Sequence, residues 1–127
     1  MQLGIIGLPQ SGKTTIFNAL TKSCIKVGEY STGCDVHMGV VKVPDPRLDK
    51  LTAMFNPKKK VPATITYVDI GGMAKGVSDS GGLGTEFLTQ MHKVDAMILV
   101  LRGFADASGA PSPVEDYQTI ATELLLS

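Results

Sequence analysis

Along this chain, short apolar runs bounded by glycine or proline alternate with segments of helical spacing. Leu3 to Ile6 is a glycine-flanked apolar run, which predicts a buried strand. Ile16, Phe17, Ala19 and Leu20 then recur on one helical face. Residues 23–36 carry no period, so a fourteen-residue loop is expected, long enough to suspect function. Met38 to Val43, with three valines, predicts a second strand. Asp45-Pro46 reads as an N-cap followed by a first helical residue, and Asn56-Pro57 as the stop. Between them Leu48, Leu51, Met54 and Phe55 form the stripe of a short amphipathic helix. Ala63 to Asp69 predicts a third strand, and the glycine-rich stretch 71–84 a mobile loop.

In the second half, Thr85 is placed to cap a helix carrying Phe87, Leu88 and Met91. Ala96 to Leu101 is apolar throughout, which predicts a fourth strand buried on both faces. Ser112-Pro113-Val114-Glu115 is a capping box with proline at the first helical position, followed by the stripe Ile120, Ala121, Leu124 and Leu125. That stripe is still running at Leu126-Ser127, so a continuation is expected. The alternation of strand and helix predicts an α/β fold, a mostly parallel sheet with helices on both faces. The expected strand order is 2-3-1-4, with strand 2 antiparallel at the edge. Residues 1–127 are expected to form one domain, incomplete at its C-terminus.

Glycine is in excess, 14 of 127 residues against an average near ~7%. With no collagen period and no Gly/Ser linker, these glycines mark tight backbone geometry. Two runs around them carry chemistry. Gly7-x-x-x-x-Gly12-Lys13-Thr14 matches the P-loop pattern in full, with a strand before it and a helix after. The glycines let the backbone N–H groups around Gln10, Ser11, Gly12, Lys13, Thr14 and Thr15 converge on a phosphate. The dipole of the helix that begins there points at the same anion. Lys13 supplies a point charge, and Thr14 a hydroxyl ligand for Mg2+. The second run, Ile65-Thr66-Tyr67-Val68-Asp69-Ile70-Gly71-Gly72, ends a strand in a carboxylate. Asp69 is placed to reach the same metal, and Gly72 to give its N–H to a γ-phosphate and act as a hinge. Met73 stands where many GTPases carry a water-orienting glutamine, so hydrolysis is expected to be slow.

These residues also carry a family likeness. Gly7-Leu8-Pro9, Thr15 to Thr21, Val43 to Leu51, Val61 to Thr64, Val68 to Gly76, Gly82 to Leu88 and Thr122 to Leu125 resemble the Obg-like ATPase family, YchF subfamily. The resemblance implies a Ras-like P-loop domain that binds and hydrolyses nucleoside triphosphate with Mg2+, usually preferring ATP. It implies association with ribosomes. It also implies a coiled-coil insertion and a TGS domain, which have no counterpart in this stretch. Met73 fits a group whose catalytic glutamine is replaced by a hydrophobic residue. The chain departs from the family pattern at Gln10, where the family commonly has a potassium-holding asparagine. It departs again in 104–113, which holds no histidine. The family's switch threonine aligns near Gly33, which makes the neighbouring Thr32 a weak candidate as a second metal ligand.

Charge and composition narrow the rest. Lys plus Arg and Asp plus Glu are 12 each, which argues against DNA as a partner. Lys58-Lys59-Lys60 reads first as a solvated turn and second as an RNA contact. Cys24 and Cys34 read as reduced thiols, and no apolar run approaches the ~18 residues of a membrane span. A cytoplasmic location is expected. Two rivals to a slow triphosphatase stand beside it: a nucleotide-dependent binding switch that does not hydrolyse, and a P-loop kinase for a small metabolite. No Asn-Lys-x-Asp occurs, so nothing in the chain is expected to read the base.

Overall fold

The computed structural model describes residues 1–25, 36–71, 85–105 and 109–126. Four strands and four helices alternate through them: β1 (Gln2–Ile6), α1 (Lys13–Thr21), β2 (Val36–Lys42), α2 (Pro46–Phe55), β3 (Thr64–Ile70), α3 (Thr85–Met91), β4 (Ala96–Leu99) and α4 (Pro113–Leu126). The strands form one sheet in the order β2-β3-β1-β4. β1 runs parallel to β3 and β4, and β2 runs antiparallel to β3 at the edge. Strand order and edge direction are those expected from the sequence, and boundaries move by one or two residues.

The two-residue period of β1 splits the core. Ile5 faces α1 and packs with Phe17 and Val100, flanked by Tyr67 and Ile98. Ile6 faces the other way, with Val68, Ile70, Phe87 of α3 and Ile120 of α4. Helices therefore cover both faces, and the parallel strands β1 and β3 end side by side beneath α1.

Three expectations about burial fail, each for a reason of topology. On α1 only Phe17 is buried, while Ile16, Ala19 and Leu20 are exposed, because one aromatic ring fills the contact with the sheet. β4 pairs only with β1 among the described strands, so Ala96 and Met97 at its start are exposed rather than buried on both faces. α2 buries none of its residues. It lies inside the connection between the antiparallel neighbours β2 and β3, which need no crossover helix on a sheet face. Its ends are as expected. Asp45 accepts from the Arg47 N–H at 2.9 Å with Pro46 next in the helix, and Asn56 closes it with φ 41. In α4, Ile120 and Leu124 pack against the core but Leu125 points to solvent. Thr85 is the first residue of α3 rather than its cap.

Candidate functional site

The turn from β1 into α1 is held from below. The Ser11 N–H and the Lys13 Nζ both donate to the Leu8 carbonyl, at 3.2 Å and 3.1 Å. A Cβ at Gly7 would overlap the Val100 carbonyl oxygen and lie 2.9 Å from Ser11 Oγ, so this position needs glycine for close approach. Gly12 is the N-cap of α1 with φ 95, a left-handed conformation that most side chains resist. The Gly12 carbonyl takes the first intrahelical bond, from Ile16 at 3.0 Å. The N–H groups of the first turn therefore have no intrahelical acceptor and make the positive end of the helix.

Beside that end lies Asp69. The register of β1 with β3 pairs Ile5 with Asp69, so the carboxylate emerges on the face that carries α1. Thr14 Oγ1 donates to Asp69 Oδ2 at 3.1 Å. Asp69 is only 4% exposed, and its other oxygen, Oδ1, is buried with no hydrogen-bond partner among the described residues. Lys13 is half-buried, not the freely exposed side chain a surface loop would give. Burial pushes its ammonium pKa below the ordinary lysine value, and the Asp69 carboxylate offsets part of that fall.

Helix and strand thus bring Lys13, Thr14 and Asp69 together, as expected from the two motifs. Gln10 is exposed, with φ 61, and Thr15 is exposed in the first turn of α1. Ser11 departs from expectation. Its N–H is already given to Leu8, and its hydroxyl is buried without a partner. Gly72, Met73 and Thr32 lie outside the described residues.

His37 gains a position the one-dimensional reading could not supply. It sits directly opposite Asp69 in the β2–β3 ladder, on the same face, with its ring 6.5 Å from that of Phe17 at 52°. Only the antiparallel register reveals this neighbour. A lysine whose charge is weakened by burial predicts proton uptake when a polyphosphate binds. An anion favours the protonated form, so below that pKa Lys13 itself adds no pH dependence to nucleotide affinity. Affinity falls in the alkaline range as pH rises through the lowered pKa of free Lys13. Calorimetric titrations in two buffers of different ionisation enthalpy will read that uptake directly.

A parallel β1–β3 pair, a glycine-capped helix at its end, and a Thr–carboxylate contact beside a half-buried lysine define a P-loop fold of the GTPase class. The chain belongs to the 50S ribosome-binding GTPase family, whose model matches residues 2–125. Its relatives carry YchF and Obg-like names, the group the sequence resembles. It is 44% identical to the ribosome-binding ATPase YchF of Bacillus subtilis over 130 residues, covering 98% of this chain and 36% of that protein. It is 40% identical to Obg-like ATPase 1 of Schizosaccharomyces pombe, over 99% of this chain and 34% of that one. The solved structure of the Schizosaccharomyces pombe YchF GTPase matches with a TM-score of 0.71 at 39% identity, across 99% of this chain and 35% of that chain. The chain spans about a third of the length of these relatives. Among the described residues, no helix is long and apolar enough to cross a membrane.

Proposed function

We propose that this chain is the phosphate-binding part of a nucleoside triphosphatase that binds ATP or GTP with Mg2+ and hydrolyses it slowly. The observation that carries the reading is the buried, unpartnered Asp69 Oδ1 beside the Thr14 hydroxyl. A buried carboxylate oxygen without a partner is costly, and a cation there relieves the cost. One hydroxyl and one carboxylate are hard oxygen donors. Mg2+ is typically held by one or two such groups together with substrate phosphates. No cluster of three or more His, Cys, Asp or Glu residues occurs among the described residues, which fits a metal completed by its substrate. Thr14 and Asp69 would hold Mg2+, and the ion would supply positive charge to the phosphates.

The chain's own groups do the rest. Amides at Gln10, Gly12, Lys13, Thr14 and Thr15 orient the phosphates, and Lys13 carries the compensating charge once it leaves the Leu8 carbonyl. The Gly72 N–H senses the γ-phosphate, and Thr32 offers a second metal ligand. The two glycine-dependent contacts at Gly7 and Gly12 keep the cradle rigid, so little reorganisation is needed when phosphate arrives. Ribosome association and a cytoplasmic location belong to the same reading, supported by the ribosome-binding names of the relatives.

Two outcomes test it. Met73 cannot orient a water by hydrogen bonding, so phosphate release by this chain will run below ~1 s⁻¹, the low end for phosphoryl-transfer enzymes. Fast, partner-free release in a malachite-green assay contradicts that. Phosphate contacts are common to every nucleotide, so ATP and GTP will bind within about tenfold of one another, ~1.4 kcal/mol. A strong preference in parallel titrations would mean that some residue within 1–127 reads the base.

A further inference from the structure

The overall charge balance hides a strong separation. Between residues 42 and 62 there are six cations, Lys42, Arg47, Lys50, Lys58, Lys59 and Lys60, and two carboxylates, Asp45 and Asp49. Adding Lys22, the rest of the chain holds five cations against ten carboxylates. Both carboxylates of the basic segment are engaged there, Asp45 with Arg47 at 3.0 Å and Asp49 with Lys60. Lys22, Lys42, Lys50, Lys58 and Lys59 are exposed, and their side chains have no hydrogen-bond or ion-pair partner among the described residues.

The same region is apolar in an unusual way. Leu51, Met54, Phe55 and Val61 are all more than half exposed, with Phe55 at 74%. On a helix surface Leu51 neighbours Phe55 and Lys50 neighbours Met54, so apolar and basic groups are interleaved. Alongside runs a groove of about 420 Å³, lined by Lys22, Lys42 and Lys60, by the engaged carboxylates Asp45 and Asp49, and by Leu48. It touches the C-terminal end of α1 and the end of β2, the opposite end of those elements from Thr14 and Asp69.

We propose that this end of the domain, α2 with the 58–62 segment and the groove beside it, binds single-stranded RNA. Free lysines at the rim meet phosphates, and the exposed ring of Phe55 stacks on an unpaired base. Basic groups that track a backbone, with an aromatic platform between them, are the chemistry by which proteins hold single strands without reading sequence. Zero net charge does not oppose this, because the field at the surface depends on where the charges lie. An anionic lipid surface is the competing partner for a basic, partly apolar patch. RNA is favoured because the ribosome association proposed above brings the domain beside it.

The test uses the purified protein and a fluorescein-labelled mixed-sequence 20-mer oligoribonucleotide, read by anisotropy across a salt series. Wild type will bind it. Lys50→Glu/Lys58→Glu/Lys59→Glu will weaken binding at least tenfold at 100 mM salt and lower the slope of log K against log salt by about 2, near ~0.7 per lost contact. Phe55→Ala will weaken it about tenfold with the slope unchanged, the mark of lost stacking rather than lost charge. Lys93→Glu, a charge change outside the patch, will have little effect, and Mg-nucleotide affinity will be the same in every variant. RNA affinity unmoved by these substitutions overturns the proposal. So does binding confined to vesicles containing 30% phosphatidylserine. Variants that lose the 20-mer yet still sediment with ribosomes support the surface and separate it from ribosome association itself. Wild type that sediments with ribosomes but ignores the 20-mer removes the RNA site and leaves the ribosome reading intact.

Discussion

Lys13→Ala lowers triphosphate affinity by about 100-fold or more while the domain stays folded. The loss follows from the charge-assisted hydrogen bonds, each worth about 1.5–3 kcal/mol, that the Lys13 ammonium is expected to give the phosphates. Folding is spared because, among the described residues, the Lys13 side chain hydrogen-bonds only the Leu8 carbonyl, at 3.1 Å, and that oxygen keeps the Ser11 N–H at 3.2 Å. Removing a half-buried ammonium also removes the desolvation that depresses its pKa, so stability is expected within about 1 kcal/mol of wild type. Fluorescent nucleotide titration together with thermal unfolding separates the two effects. Wild-type affinity in a folded variant would remove the phosphate role from this loop.

Asp69→Asn is expected to separate stability from metal dependence in the opposite sense. In the wild-type protein, chelating Mg2+ weakens triphosphate binding about tenfold more than diphosphate binding, because the ion bridges β- and γ-oxygens. In the variant that difference disappears, since the carboxylate beside Thr14 is gone. Stability is expected to hold or rise by about 1 kcal/mol. The native carboxylate is 4% exposed and, among the described residues, leaves Oδ1 unpartnered, so without a cation the fold carries one unsatisfied buried oxygen. A melting temperature well below wild type would mean that Asp69 serves the fold rather than the metal. Equal chelator sensitivity in both proteins would show that the metal is held elsewhere.

These two expectations share an origin. The residues proposed to bind phosphate and metal are held in contacts that a ligand would break or complete, Lys13 on Leu8 and Thr14 on Asp69. A site prepared in this way keeps its geometry without ligand at some expense in stability, the usual trade at functional centres.

The local signals in the sequence were strong wherever the chemistry is local. Gly7, Gly12, Lys13 and Thr14 lie within eight residues, and their spacing alone specifies a loop that turns a strand into a helix. Asp45, Pro46 and Asn56 mark the ends of α2, because capping involves neighbours in the chain. The alternation of elements gave the α/β class, whereas the order β2-β3-β1-β4 was expected from the Ras-like resemblance, since alternation alone does not rank the strands. Burial was decided elsewhere. The stripe Leu48, Leu51, Met54 and Phe55 has the period of a buried face, yet α2 buries nothing, because periodicity states which residues share a side and not whether anything packs there. Ala96 and Met97 are apolar but lie at the start of a strand with one neighbour among the described strands. The pairing of Thr14 with Asp69 spans 55 residues, and the position of His37 opposite Asp69 rests on an antiparallel register. Spacing along the chain fixed the phosphate loop, whereas only tertiary packing could bury Asp69, half-bury Lys13 and leave α2 bare, since burial depends on which surfaces meet.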